Sequence, residues 1–214
     1  IELSTIIYNA ENCSTFGTTS NPVFQNCPNI DTLTIGPDVK SVLPNAFSNF
    51  SNLATINYNA DSCISISTSN APMFSNCGNL VTLNIGNHVK VIPAFAFAGC
   101  TGINSISLPD SVQSIGESAF LGCGGLTSIA ISNATTTIGN SAFQNCSSLK
   151  TITVGGGILT IGADAFNGCT QLDSVILEGG IEDWCNINFS TIQSNPVWFA
   201  HHLYLNGSEL TSLI

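Results

Sequence analysis

Apolar residues recur along this chain in a fixed frame. Phe24, Phe47, Phe74, Phe97, Phe120, Phe143 and Phe166 stand 23, 27, 23, 23, 23 and 23 residues apart. Three residues after each comes Cys27, Phe50, Cys77, Cys100, Cys123, Cys146 or Cys169. Three further on stands Ile30, Leu53, Leu80, Ile103, Leu126, Leu149 or Leu172. Two more aliphatic positions close the frame, as Ile152 and Val154 do in "SAFQNCSSLKTITV". The segment Leu-x-x-Ile-x-Ile ends in period-two alternation with β-branched residues, which predicts a short strand buried on one face. Gly or Pro soon follows and turns the chain, as in "LPDSV" and "IGNHV". The return path carries Val112, Ile115, Ala119, Phe120 and Cys123, which fill the interior from the other side. Twenty-three residues are too few for a strand plus a long helix, so the return should be turns and short 3-10 pieces.

One such unit cannot bury its own apolar face, so neighbours must stack. The predicted fold is an α/β-type solenoid, mostly β. It is a right-handed superhelix with a parallel sheet of about nine strands on one face. A larger duplication overlies the short one: "LSTIIYNAENC" at 3–13 matches "LATINYNADSC" at 53–63. The first strand is therefore expected to begin near Leu3. At the other end Leu203 and Leu205 restate the strand. Asn206-Gly207 then predicts a tight hairpin, because both residues tolerate positive φ; Leu210 and Leu213 continue the returning strand. The expected organisation is a solenoid over 1–177 and a longer variant repeat over 178–214, continuous with it.

The frame resembles the leucine-rich repeats of the BspA-like family. Its pattern is nearly complete in "INSISLPDSVQSIGESAFLGC" at 103–123, and "IEDWCNINFSTIQSNPVWFAHHLYLNGSEL" at 181–210 is similar to a longer repeat of that family. The resemblance implies bacterial or protozoan surface or secreted proteins, many of them linked to adhesion to host proteins. Phe50, in place of a cysteine, and Tyr8 and Tyr58, in place of aliphatic residues, depart from the pattern.

Composition narrows the function classes. Charged residues make up 7% of the 214 residues, against roughly 25% in ordinary soluble proteins. The only basic side chains besides histidine are Lys40, Lys90 and Lys150, and the net charge is −10. Nucleic acid and anionic membranes both need cationic contacts, so neither is an expected partner. No run of about 18 apolar residues exists to insert in a membrane. The chain opens and closes in mid-pattern, which reads as a piece of a longer protein.

The nine cysteines show no Cys-x-x-Cys spacing, so no thiol metal site is expected. Residues 23 apart would stack at about 4.8 Å, within the Cα range of a disulfide. Their side chains point the same way, however, which keeps the Cβ atoms too far apart. Phe50 shows that volume and burial are what the position requires. A ladder of reduced, buried cysteines is the expectation.

No nucleophile elbow, zincin motif or phosphate loop occurs, so no enzyme and no cofactor is expected. His201-His202 reads as a solvated strand edge. The outward residues of the strands are more informative. Thr5, Thr32, Thr55, Thr82, Ser105, Ser128, Thr151 and Ser174 all carry hydroxyls, and a second outward row includes Thr34, Asn57, Asn84 and Thr153. They make a neutral face that could dock an extended protein partner, although Ser and Thr are also ordinary occupants of a solvated strand. Trp184 and Trp198 in the last repeat are the candidate interface aromatics, whereas Tyr8 and Tyr58 fall on core positions. The six Asn-x-Ser/Thr sequons are what a chain this rich in Asn and Ser yields by chance. The expected function is a monomeric, non-enzymatic surface or secreted module of adhesion type. Its candidate partners are host extracellular-matrix proteins, and the alternatives are a structural spacer or a glycan binder.

Overall fold

A computed structural model describes residues 4–9, 27, 29–42, 45–48, 50–61, 63–65, 72–74 and 77–211. The expectations for Leu3, Cys13, Phe24, Leu213 and the sequons at Asn12 and Asn49 lie outside these residues.

The strands of one face are β1 (Thr5–Tyr8), β2 (Thr32–Ile35), β3 (Thr55–Tyr58), β4 (Thr82–Ile85) and β5 (Ser105–Ser107). They continue as β6 (Ser128–Ile131), β7 (Thr151–Val154), β8 (Ser174–Leu177) and β9 (His202–Leu205). Each forms where the frame places alternating aliphatics, and β1, β6, β7 and β8 bury every second residue. Neighbours are parallel and in register, Ser128 beside Thr151 and Ile129 beside Ile152 for example. Beyond β9, Asn206 and Gly207 take φ of 49° and 79°. This is the turn a two-residue hairpin needs, and it sends β10 (Ser208–Glu209) back antiparallel to β9. The molecule is thus a mostly-β solenoid with the 23-residue repeat.

The return path is more ordered than the sequence suggests. Two-residue strands at Val91–Ile92, Ser114–Ile115, Thr137–Ile138, Thr160–Ile161 and Asn188–Phe189 form a second parallel ladder. A third edge is tied rung to rung by Phe97 N–H to Ala119 O, Phe120 to Ala142 and Phe143 to Ala165, at 2.8–2.9 Å. Among the described residues the 3-10 turns occur in the last rung, at Ile192–Ser194 and Pro196–Trp198, after the helix α1 (Ile181–Cys185). Gly139 shows why "Ile-Gly" recurs between the second and third edges. A Cβ there would lie 2.6 Å from the backbone N of Glu117 on the neighbouring rung.

Between these edges runs one core. Phe47, Phe74, Phe97, Phe120, Phe143 and Phe166 are fully buried, and successive rings stack with centroids 5.4–5.7 Å apart. That is the offset geometry aromatic pairs favour. Tyr8 and Tyr58 are buried as well and meet Phe47 and Phe97 edge-on. Cys77, Cys100, Cys123, Cys146 and Cys169 form a second buried column of free thiols, while Cys27 is half-buried and Cys185 exposed.

The main sheet has one interruption. β1 to β4 form a four-stranded sheet and β5 to β10 a six-stranded one, with no ladder between β4 and β5. At several other boundaries the residue after a strand donates its N–H to the last carbonyl of the strand before. Gly36 to Tyr8, Gly86 to Tyr58 and Gly155 to Ile131 do so at 2.8–3.0 Å. In the rung of β5 the position one repeat on from Gly86 is Pro109, which has no N–H to give. The second ladder and the Phe stack cross the same point unbroken.

Candidate functional site

The strand register turns the sequence pattern into a surface. Thr5, Thr32, Thr55 and Thr82 stand side by side on β1 to β4, and Ser105, Ser128, Thr151 and Ser174 on β5 to β8. Thr5, Thr82, Ser105 and Ser128 are exposed; Thr32, Thr55, Thr151, Thr153 and Ser174 are half-buried. The core column on the opposite side of each strand forces this outward direction. The second row runs Ile7, Thr34, Asn57, Asn84 and, across the interruption, Ser107, Ala130, Thr153 and Ile176.

Part of that row is pre-ordered. Asn84 donates its amide to Asn57 Oδ1 at 2.8 Å, and Asn57 donates to Thr34 Oγ1 at 3.2 Å. Side chains held this way lose less entropy when a partner docks. Charge gathers at one end of the face. His202 and Tyr204 on β9 extend the two rows beyond Ser174 and Ile176, a continuation the sequence reading did not assign to the face. His202 Nδ1 lies 2.6 Å from Glu209 Oε1, and His201 Nδ1 lies 3.6 Å from Asp173 Oδ1. The Glu209 hydrogen bond raises the His202 pKa above its ordinary value, with Asp173 adding to the effect.

The two tryptophans differ. Trp184 is half-buried on α1, with its ring 5.2 Å from Phe189. Trp198 is 64% exposed. It borders an open groove of about 470 Å³ with Phe189, Thr191, Ile192, Asn195 and Val197. Among the described residues no cluster of His, Cys, Asp and Glu could hold a metal ion. Among them, too, no helix is long and apolar enough to cross a membrane.

A model of the BspA-type leucine-rich-repeat region matches six copies over residues 3–100 and 67–195. The chain belongs to the BspA-type leucine-rich-repeat family. Among solved structures it is similar to a Treponema pallidum leucine-rich-repeat protein, with a TM-score of 0.58 and 23% identity over 68% of each chain. A leucine-rich-repeat protein from Bacteroides ovatus gives a TM-score of 0.50 at 23% identity, over 79% of this chain and 56% of that one. A leucine-rich cell surface protein from Faecalibacterium prausnitzii gives 0.49 at 27% identity, over 74% of this chain and 35% of that one. No curated protein matches.

The BspA-type frame also explains what the cysteines do. Cys123 donates its thiol to Phe97 O, Cys146 to Phe120 O and Cys169 to Phe143 O, at 3.2–3.3 Å. Burial pushes every thiol of the column up, Cys77 to about 11 and Cys169 to about 12. A thiol that stays protonated is a poor nucleophile and a poor metal ligand. The column therefore serves the fold.

Proposed function

We propose that this chain is a non-enzymatic, surface-displayed or secreted module that docks a partner protein across the outward face of its sheet. The carrying observation is the outward row of eight hydroxyl side chains from Thr5 to Ser174, four on each side of the interruption, backed by the Thr34–Asn57–Asn84 hydrogen-bonded ladder. Nine strands at about 4.8 Å spacing and about 13 Å of strand length make a face on the order of 500 Å² in projection. That approaches the footprint of about 800 Å² per partner in a standard interface. From β1 to β8 the outward rows are uncharged and partly pre-ordered, which suits a docked protein surface better than a small molecule needing a deep pocket. Membership of the BspA-type family supports surface display. Host extracellular-matrix proteins are the first partners to screen.

The test is an immobilised panel of matrix proteins probed with the wild-type chain and with Thr55→Lys, Ser105→Lys and Thr151→Lys. Binding that falls at least ten-fold in these variants supports the reading. If no panel member binds, or the three variants bind as well as wild type, the face is not the docking surface. The repeats then serve as a spacer.

A further inference from the structure

We infer that the last rung carries a second docking surface, distinct from the sheet face, which receives an uncharged apolar side chain from an extended peptide segment of a partner protein. The register of the rungs isolates it. Ile161 pairs with Phe189 and Val175 with Leu203, so both rungs cover the same 14-residue path from second ladder to sheet. Position by position, Ile192 then takes the place of Asp164, Val197 that of Cys169 and Trp198 that of Thr170. In the complete rungs the place of Trp198 holds Gly78, Thr101, Gly124, Ser147 and Thr170, all small. It points outward there, and it points outward here. Trp198, 64% exposed, therefore stands where the other rungs carry only small residues, and Ile192, 60% exposed, lies beside it. Tryptophan is among the residues most enriched in binding hot spots, and exposed apolar surface marks interaction sites.

The groove itself indicates its occupant. None of its six lining residues is ionisable, although the chain carries a net charge of −10. A charged side chain would be desolvated there without a counter-charge, so the site selects a neutral group. Four of the six residues are apolar, more than the stacking of a sugar ring on one tryptophan requires. The two polar residues offer donors. Asn195 Oδ1 accepts from Val197 N–H at 3.0 Å, which leaves its amide hydrogens. Thr191 Oγ1 accepts from Asp164 N–H at 3.2 Å, which leaves its hydroxyl hydrogen. Two donors at the border of an apolar groove match the carbonyls that flank a side chain in an extended peptide.

The test uses the full chain, labelled with nitrogen-15, and capped tripeptides as probes. Acetyl-Gly-Trp-Gly-amide and acetyl-Gly-Leu-Gly-amide should shift the Trp198 indole N–H and the Asn195 side-chain amide signals; the Asp- and Lys-centred peptides should not. Trp198→Ala identifies the indole signal by its loss and should weaken both apolar peptides at least ten-fold. Thr55→Lys should leave them unchanged, so failure here and failure of the sheet-face reading are separable. An unchanged melting curve for Trp198→Ala confirms that the loss is not unfolding. The inference is overturned by no shift with either apolar peptide or by equal shifts with the charged ones. It is equally overturned if methyl β-glucopyranoside moves these signals while the peptides do not, or if they move with protein concentration alone, which would make a second copy the occupant.

Discussion

Raising the pH from 8 to 10 is expected to remove a large part of this protein's stability. Cys77, Cys100, Cys123, Cys146 and Cys169 are all fully buried. Burial raises each thiol, to about 11 in Cys77 and about 12 in Cys169, and well above the ordinary range in Cys100, Cys123 and Cys146. In the unfolded chain the same groups titrate near their ordinary value of about 9. Below that pH both states hold the protons and the thiols contribute no pH dependence. Between pH 9 and 11 the unfolded state sheds protons that the folded state keeps, so stability falls as pH rises. At pH 10 each thiol costs on the order of 1 kcal/mol by this linkage, and the five together several kcal/mol. Total stabilities of about 5–15 kcal/mol are usual, so the effect is of the same order as the whole. Tyr58, buried and raised well above its ordinary value, acts in the same direction.

The assay is urea unfolding followed by circular dichroism at pH 8 and pH 10, with a phosphine reductant throughout. The decisive quantity is the difference between the two pH values, because truncating a core cysteine costs stability at any pH. In a Cys123→Ala, Cys146→Ala double variant that difference should shrink by roughly 2–3 kcal/mol. Equal stability at pH 8 and 10, or an unchanged difference in the double variant, would refute the claim that buried neutral thiols set the alkaline limit.

Other perturbations test the remaining elements. Phe143→Ala removes a ring stacked on both Phe120 and Phe166; a loss of about 3–5 kcal/mol should lower the melting temperature by on the order of 10 °C, and a fall of only a degree or two would contradict the continuous Phe stack. Gly139→Ala sets a Cβ 2.6 Å from Glu117 N and should destabilise by about 1–3 kcal/mol through crowding, whereas Gly124→Ala, whose nearest contact would be a side-chain oxygen at 3.6 Å, should be nearly neutral. Pro109→Ala supplies the missing donor to Ile85, so the amide of residue 109 should gain hydrogen-exchange protection; free exchange there would show that proline is not what interrupts the sheet.

The sequence made the sheet legible because its signal is doubly redundant. Each strand alternates buried and exposed residues, and the frame repeats that alternation at fixed spacing, so the outward residues from Thr5 to Ser174 could be named without coordinates. The second and third edges were less legible. Their bonds join backbone groups, and two-residue strands such as Thr137–Ile138 are too short to show a period. A signal was nonetheless present. Gly or Asn precedes the cysteines of the column, and Gly99, Gly122, Asn145 and Gly168 all have positive φ. Two residues before the Phe, Asn45, Phe95, Ser118, Ser141 and Asp164 do the same. Gly, Asn and Asp tolerate the left-handed region and mark the bend before the cysteine, whereas Phe95 and the two serines leave the second bend without a sequence signal. The interruption after β4 was readable in principle from Pro109, but only once its register against Gly36, Gly86 and Gly155 was known. The unlike roles of Trp184 and Trp198 depend on the path of the longer rung, which its sequence does not repeat from elsewhere in the chain.

One question remains that volume alone does not answer: why cysteine fills the column when Phe50 and Val197 also fit it. The answer lies in the carbonyls beside it. Phe97 O accepts the Cys100 N–H at 3.2 Å within its own turn and the Cys123 thiol at 3.2 Å from the next rung. Phe120 O accepts from the Cys123 N–H and the Cys146 thiol, and Phe143 O from the Cys146 N–H and the Cys169 thiol. Each buried carbonyl thus uses both lone pairs, one within its turn and one across the rung boundary. Alanine would fit the space without supplying a donor. Serine would supply a stronger donor at a larger desolvation cost. Valine would fill the volume and leave the second lone pair idle, and it stands at the rung where the column ends. Cysteine combines small size, an apolar surface and a weak donor. The same burial that makes the thiol useful for that bond keeps it protonated, so the column's structural role and the expected alkaline sensitivity have one cause.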